Sequence, residues 1–432
     1  MIKTESFNIK NSLIKFHANY IWLFYFVIVL TNYVAIFIYS ENFWGVWKIG
    51  EYLVNYDHGI IRRGLIGNLF IPIGRFFDLP ALYISYYVFI FSNIIMFFIF
   101  YIVRKLYLLN TVNIGSFMLL YSPLYILFPF YCFQVAYRKE ILIYLSFSIL
   151  AYAFAFGVKK INQFKPNKYI WISFFIFFIS LFSHETTIFT LPFFLFLIYK
   201  IKKKNLITYN KAKLYYALFF TATLLALLLS FYLSTDLERN LLISKQLCSD
   251  LLEYGFAKQM CIPLSSGISN NAIYYINITS SFYIFLLKNY FLLFFIFLVP
   301  IFISNWIKVF ENKLLMIIGF MALIPLFILA TDWGRWFNIY VFLIFTLILS
   351  EGVNIEFKIK KINVFFVFIY LSCLSMANSH GNPEHSIKEV LIYNLKNSLI
   401  LYPINLYNDY NKYKEIEEFK VPIDLLWIYK KT

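Results

Sequence analysis

YIWISFFIFFISLFSHETTIFTLPFFLFLIY, residues 169–199, is a pair of apolar runs broken once, by Ser183, His184, Glu185 and Thr186. Neither run alternates polar with apolar, so each reads as a helix in an apolar surround rather than a strand. Lysines close both flanks: Lys165 and Lys168 before, Lys200, Lys202, Lys203 and Lys204 after. Clustered lysine marks the cytoplasmic ends of membrane spans, so the chain crosses a bilayer and returns within this stretch. Each limb then has about 15 residues and reaches about 22 Å, against a hydrocarbon core about 30 Å thick. The polar tip is expected below the outer surface, inside protein or a watery cavity. An ionisable pair at that depth is a functional-site hypothesis by default.

The remainder of the chain has the same character. Of its 432 residues 61% are hydrophobic and 22% aromatic, and its mean hydropathy is +0.70, where a soluble domain is about 45–50% apolar. Further apolar runs at 18–39, 81–103, 112–130, 141–158, 214–233, 282–303, 314–330, 337–349 and 362–376 join the two limbs at 169–182 and 186–199. The fold class expected is an all-α polytopic membrane protein with about eleven transmembrane helices, within a range of ten to twelve. Residues 1–376 read as one transmembrane domain with outer loops at 40–80 and 234–281. The tail at 377–432 reads as outer-face or interfacial. No small-residue cleavage site follows the first run, so no cleavable signal is expected. The four cysteines match no metal spacing, and no P-loop or nucleotide signature occurs. Neither metal nor cofactor is therefore expected. The net charge of +16 is explained by lysine at helix ends and does not imply nucleic acid.

Lysine also orients the chain. Lys3, Lys10 and Lys15 precede the first run, and every second connection thereafter is basic, which places the N-terminus in the cytoplasm. Arginine does the opposite. Of Arg62, Arg63, Arg75, Arg104, Arg138, Arg239 and Arg335, all but Arg104 fall on the expected outer side. A cation that breaks the topology rule needs a partner, and guanidinium suits bidentate contact with phosphate or carboxylate.

Four outer clusters follow. EYLVNYDHGIIRRGLIG, residues 51–67, carries Glu51, Asp57, His58, Arg62 and Arg63. If 60–66 is helical, the two arginines diverge by about 100° and grip opposite sides of a pyrophosphate; the bland alternative is headgroup contact or pairing with Glu51 and Asp57. Residues 137–140 carry Arg138, Lys139 and Glu140, either an interfacial anchor or a second phosphate contact. His184 and Glu185 form the hairpin tip, either a helix cap with a core histidine or a base tuned by its neighbour. In the cluster of Asp332, Trp333, Arg335 and Trp336 the acid and the arginine are three apart and pair on a helix end, and the indoles fit an interface belt or a sugar platform equally. A disulfide between Cys248 and Cys261 is expected to order the long loop, whose Asp236, Glu238, Arg239, Asp250 and Glu253 offer a lid.

With charged clusters on one face around recessed apolar surface, the arrangement suits a substrate with a lipid tail and a phosphate-bearing head. In span number, Phe and Ile richness, extended outer loop and outer arginines, the chain resembles the bacterial O-antigen polymerases of the Wzy type. It is more weakly similar to GT-C glycosyltransferases, which carry acidic residues in the first outer loop as Glu51 and Asp57 do here, although these two are six apart rather than in an Asp-x-Asp pair. The polymerase resemblance implies joining of undecaprenyl-pyrophosphate-linked oligosaccharide repeats at the outer face of the bacterial inner membrane. Membrane lipid and a chain-length regulator protein are the implied partners. Arg62, Arg63, Arg138, Asp332, Arg335, Trp333 and Trp336 would bind substrate, and Asp57, His58, His184 or Glu185 would handle the proton. The alternatives are a GT-C enzyme using a polyprenyl-phosphate sugar, a lipid-linked saccharide transporter, for which repeated halves are lacking, and a membrane O-acyltransferase acting through His184.

Overall fold

The computed structural model describes residues 46–110, 114–126, 128, 138–159, 165–256, 261, 290–329, 332–352 and 370. The expected spans at 18–39 and 362–376, apart from Tyr370 in the latter, and the tail at 377–432 lie outside them. Among the described residues all regular structure is helical. The helices are α1 (Val46–Leu53), α2 (Gly67–Phe76), α3 (Ala81–Leu109), α4 (Ile114–Leu120), α5 (Ile141–Lys159), α6 (Pro166–Ser183), α7 (Leu191–Lys203), α8 (Tyr209–Ser234), α9 (Leu237–Glu253), α10 (Leu292–Ile303), α11 (Phe310–Leu329) and α12 (Trp333–Glu351). Among the described residues six stretches are long and apolar enough to cross a membrane: Tyr83–Leu109, Ile141–Lys159, Pro166–Ser183, Tyr209–Ser234, Phe310–Ile328 and Trp333–Glu351. The chain is a multi-pass helical membrane protein.

The centre is α12. Every residue from Trp333 to Ser350 is buried, and α3, α4, α5 and α11 pack around it. A helix apolar on all sides belongs where protein surrounds it. At the periphery, α8 buries only a stripe of Ala212, Tyr215, Phe219, Ala222, Thr223 and Ala226. Its other face exposes residues such as Leu224, Leu228 and Phe231. Small residues on the buried stripe let the helix approach its neighbours closely, as in lipid.

Two expected spans differ in form. Over 112–130 the helix stops at Leu120 and the chain turns through Tyr121–Ile126. Pro123 removes a backbone donor there. Asn338 of α12 donates to the Leu124 carbonyl at 2.8 Å, and the Tyr125 hydroxyl bonds Thr346 Oγ1 at 2.8 Å. Irregular backbone at membrane depth is tolerated where protein supplies such partners. The limb at 186–199 opens as a 3-10 helix, Glu185–Thr190, before α7. A 3-10 turn rises about 2.0 Å per residue against 1.5 Å for α, so it gains height from a short limb.

The hairpin of α6 and α7 is recessed. Asn167 and Trp171 lie level with Tyr215 of α8, and Phe174 and Phe177 with Phe219. The two helices therefore run parallel, and Ser183 stops about five residues, or ~8 Å, short of the end of α8. The tip meets the N-termini of α5 and α12 at one end of the bundle. At the other end, Asn110 after α3 donates to the Leu349 carbonyl of α12 at 2.8 Å, amid the lysines of α5–α8.

Candidate functional site

Four helix termini and one connection deliver ionic side chains to the hairpin end. Glu51 comes from the last turn of α1 and Arg62 and Arg63 from the 54–66 connection. Arg138, Lys139 and Glu140 come from the residues that enter α5, His184 and Glu185 from the tip after α6, and Asp332 and Arg335 from the start of α12. They form one network. Arg63 Nε and Nη2 donate to the two oxygens of Glu185, each at 2.7 Å, and Arg62 Nη1 lies 3.5 Å from Oε1 of the same carboxylate. Arg138 forks onto Glu51, with Nε to Oε2 at 2.9 Å, and its Nη1 is 3.6 Å from Asp332 Oδ2. Arg335 donates to both Asp332 and Glu140. Lys139 Nζ donates to the Arg63 carbonyl at 2.7 Å and so ties the arginine pair to α5.

The network holds five cations and four carboxylates among the described residues. Desolvating that many charges is costly, and removing one partner of a buried pair strands the other. Burial is graded. The side chains of Arg62, Arg63, Glu185 and Asp332 are 16–20% exposed, whereas Arg138, Glu51, Glu140, His184 and Arg335 are at or below 10%. Arg62, Arg63 and Glu185 are therefore the lip, and the rest is the floor.

The local backbone explains the convergence of the two arginines. Residues 60–66 form turns rather than a helix, so the 100° divergence of a helical register does not arise and both guanidiniums face one carboxylate. Arg63 is left-handed, with φ 67°, a region costly for a residue with Cβ. Lys139 on its carbonyl and Glu185 on its guanidinium hold it there. Gly67 completes the packing, because any Cβ would overlap the Val54 carbonyl at the end of α1.

His184 is fixed by its neighbours. The Thr186 backbone N–H donates to its Nδ1 at 3.3 Å, and the Thr186 hydroxyl lies 2.9 Å from the same atom. An accepting Nδ1 puts the proton of the neutral ring on Nε2, which faces Glu140 Oε1 at 3.4 Å. Both nitrogens are thus engaged. Burial opposes the charge of Glu185, yet Arg63 and Arg62 together override it and hold the carboxyl well below the usual range. Lys139 is fully buried. Burial pushes its ammonium down to about 7, with Arg63 nearby adding to the effect and Glu51 opposing it.

Asp57 and His58 stand apart, on an exposed rim. Arg75 Nη1 is 2.9 Å from Asp57, His58 Nε2 is 2.8 Å from Asp250, and neither bonds a member of the buried network. Helix α9 lies over this rim. It buries a stripe of Asn240, Ile243, Ser244, Leu247 and Leu251, the spacing of an amphipathic helix. Arg239 donates to the Ile60 carbonyl at 3.3 Å, and Tyr254, just past its end, to the Leu79 carbonyl at 2.6 Å. The expected disulfide is present, Cys248 to Cys261, with Cα atoms 5.2 Å apart.

One expectation is corrected outright. Trp333 and Trp336 are 2% and 3% exposed, so neither offers an open face to a sugar ring. They sit on the central helix: Trp333 packs on Phe327 and donates to its carbonyl, and Trp336 lies under the Arg335 guanidinium at 4.9 Å. Lys139, Glu140 and Thr186 make contacts that their sequence context alone does not single out. Their signal is adjacency, an Arg-Lys-Glu triplet entering an apolar run and a hydroxyl two residues past a histidine. Among the described residues no group of three or more His, Cys, Asp or Glu is arranged to hold a metal. No protein-family model matches the chain, and neither a curated protein nor a solved structure matches it.

Proposed function

We propose that the protein is a glycosyltransferase of the bacterial inner membrane that joins undecaprenyl-pyrophosphate-linked oligosaccharide repeats on the outer face. The observation that carries this reading is the convergence of Arg62 and Arg63 on Glu185 at one recessed end of a helical bundle, beside the buried Arg138 and Arg335 with their own carboxylates. Such an end can hold a phosphate-bearing head while the lipid tail stays in the bilayer. The Cys248–Cys261 disulfide supports the outward placement, since such bonds persist in oxidising compartments.

In this reading Arg62 and Arg63 neutralise the pyrophosphate as it leaves, which is where charge develops in the transition state. Glu185 receives the proton of the attacking sugar hydroxyl. His184, with both nitrogens engaged, positions the tip. Arg138, Glu51, Asp332 and Arg335 hold the floor.

The test is the surface polysaccharide of a host carrying Arg62→Lys, Arg63→Lys or Glu185→Gln at wild-type protein level. Long chains are expected to collapse to single-repeat material, with product down by about a hundredfold or more. Normal chain-length ladders from all three variants would overturn the assignment. Accumulation of an underglycosylated lipid precursor would replace the polymerase with a single-sugar transferase.

A further inference from the structure

We propose that Glu185 and the donor's pyrophosphate exchange places on Arg62 and Arg63, so that donor binding itself releases the base. The inference rests on the polymerase reading for its substrate, but its physical basis is the geometry of the lip.

Glu185 is disarmed in the structure. Both of its oxygens accept from the Arg63 fork at 2.7 Å, and Arg62 adds a third guanidinium N–H donor at 3.5 Å. A carboxylate so saturated is a poor proton acceptor. The same three side chains are the most exposed of the network, so an entering anion meets this pair first. A pyrophosphate brings at least two negative charges and several acceptor oxygens, and guanidinium forks match phosphate as well as carboxylate. Exchange therefore keeps both arginines paired, and no cation is stranded at any stage.

Arg63 cannot readily follow Glu185 away. Arg63 is anchored by Lys139 Nζ on its carbonyl and by its left-handed backbone. The movable member of the pair is the Glu185 side chain. Once displaced it keeps its burial and loses the cations that offset it. Among the described residues Lys139 also acts on it, with neutral His184 beside it. Its basicity then rises toward that of a buried carboxylate.

The chemical step balances. The acceptor hydroxyl oxygen bonds the anomeric carbon of the donor, and its proton goes to a Glu185 oxygen. The bond from that carbon to the phosphate oxygen breaks, and its electron pair leaves on the pyrophosphate against Arg62 and Arg63. As the lipid pyrophosphate departs, Glu185 gives its proton to water and takes the arginines back. A site without bound donor thus has no free base, which guards against hydrolysis by water.

The test uses the full-length protein in lipid nanodiscs and inorganic pyrophosphate, with affinity read by calorimetry and polymer formation read separately. Glu185→Gln removes the competing charge, so it should bind pyrophosphate about tenfold tighter or more while polymer formation falls by about a hundredfold. Glu185→Asp keeps the charge but is too short to fill the fork, and should bind with intermediate affinity. It serves as a second reading if the Gln variant does not fold. Equal or weaker pyrophosphate binding by a folded Gln or Asp variant would overturn the exchange. Tighter binding in a protein whose wild type makes no polymer would uphold the exchange and overturn the polymerase reading.

Discussion

The two ends of the helical bundle hold their cations in opposite ways. At one end Lys159, Lys165, Lys168, Lys204, Lys211 and Lys213 are exposed. An exposed ammonium is satisfied by water and lipid headgroups and needs no protein partner. At the other end Arg138, Lys139 and Arg335 are buried, and each is matched to an acceptor from a different segment. Lys200 shows that burial rather than location imposes this. It lies at the lysine end, yet it is buried and lies 3.2 Å from Glu351 and 3.7 Å from Glu311, with Asn312 Oδ1 at 3.0 Å. What sets the arginine end apart is the graded lip. Its members are partly exposed guanidiniums paired to a carboxylate by a geometry that phosphate can reproduce.

The largest effect should come from breaking the floor. Arg138→Ala leaves Glu51, 3% exposed, without its fork, and should cost about 3–5 kcal/mol of stability. Lys204→Ala at the opposite end should change stability by no more than about 0.5 kcal/mol. Thermal unfolding in detergent measures both. Replacing the pair together, Glu51→Leu with Arg138→Met, should recover most of the loss, because a buried ion pair is often no better than an apolar pair of similar volume. A loss in the double variant as large as in the single would refute the stranded-charge account.

A smaller effect distinguishes Lys139 from the exposed lysines. Its ammonium is lowered from an ordinary 10.5 to about 7 by burial. Between those values the unfolded chain binds more protons than the folded one, so stability rises as pH rises through this window and the full penalty applies below 7. Unfolding midpoints from pH 7 to pH 10 should climb in the wild type and flatten in Lys139→Met. Parallel curves would place the Lys139 amine elsewhere than its buried seat.

The membrane character and most helices were legible in the sequence because apolar runs and lysine flanks are local signals. Burial within the bundle was not. The run at 337–349 and the run at 214–233 look alike in hydropathy, yet one is the central helix and the other faces outward. The break after Leu120 had a local sign in Pro123, but its stabilisation by Asn338 and Thr346 depends on residues more than 200 positions away. At the site the participants were legible as rule-breaking arginines and a recessed His-Glu pair, whereas their pairing was not. Arg63 reaches Glu185 across 122 positions and Arg138 reaches Glu51 across 87. No periodicity encodes such distances.

The smallest effect should fall on the rim, and it separates rival bases. Asp57 and His58 share the loop of Arg62 and Arg63, but their partners are Arg75 and Asp250. Exposed pairs of this kind contribute about 0–1 kcal/mol, and neither residue touches the lip. Asp57→Asn and His58→Ala should therefore lower stability by less than about 1 kcal/mol and leave long-chain polysaccharide in place, where Glu185→Gln abolishes it. If His58→Ala instead removes the long chains without altering the unfolding midpoint, the base lies on the rim beneath α9. The Glu185–arginine pair is then scaffold, and the contrast between lip and floor loses its catalytic meaning.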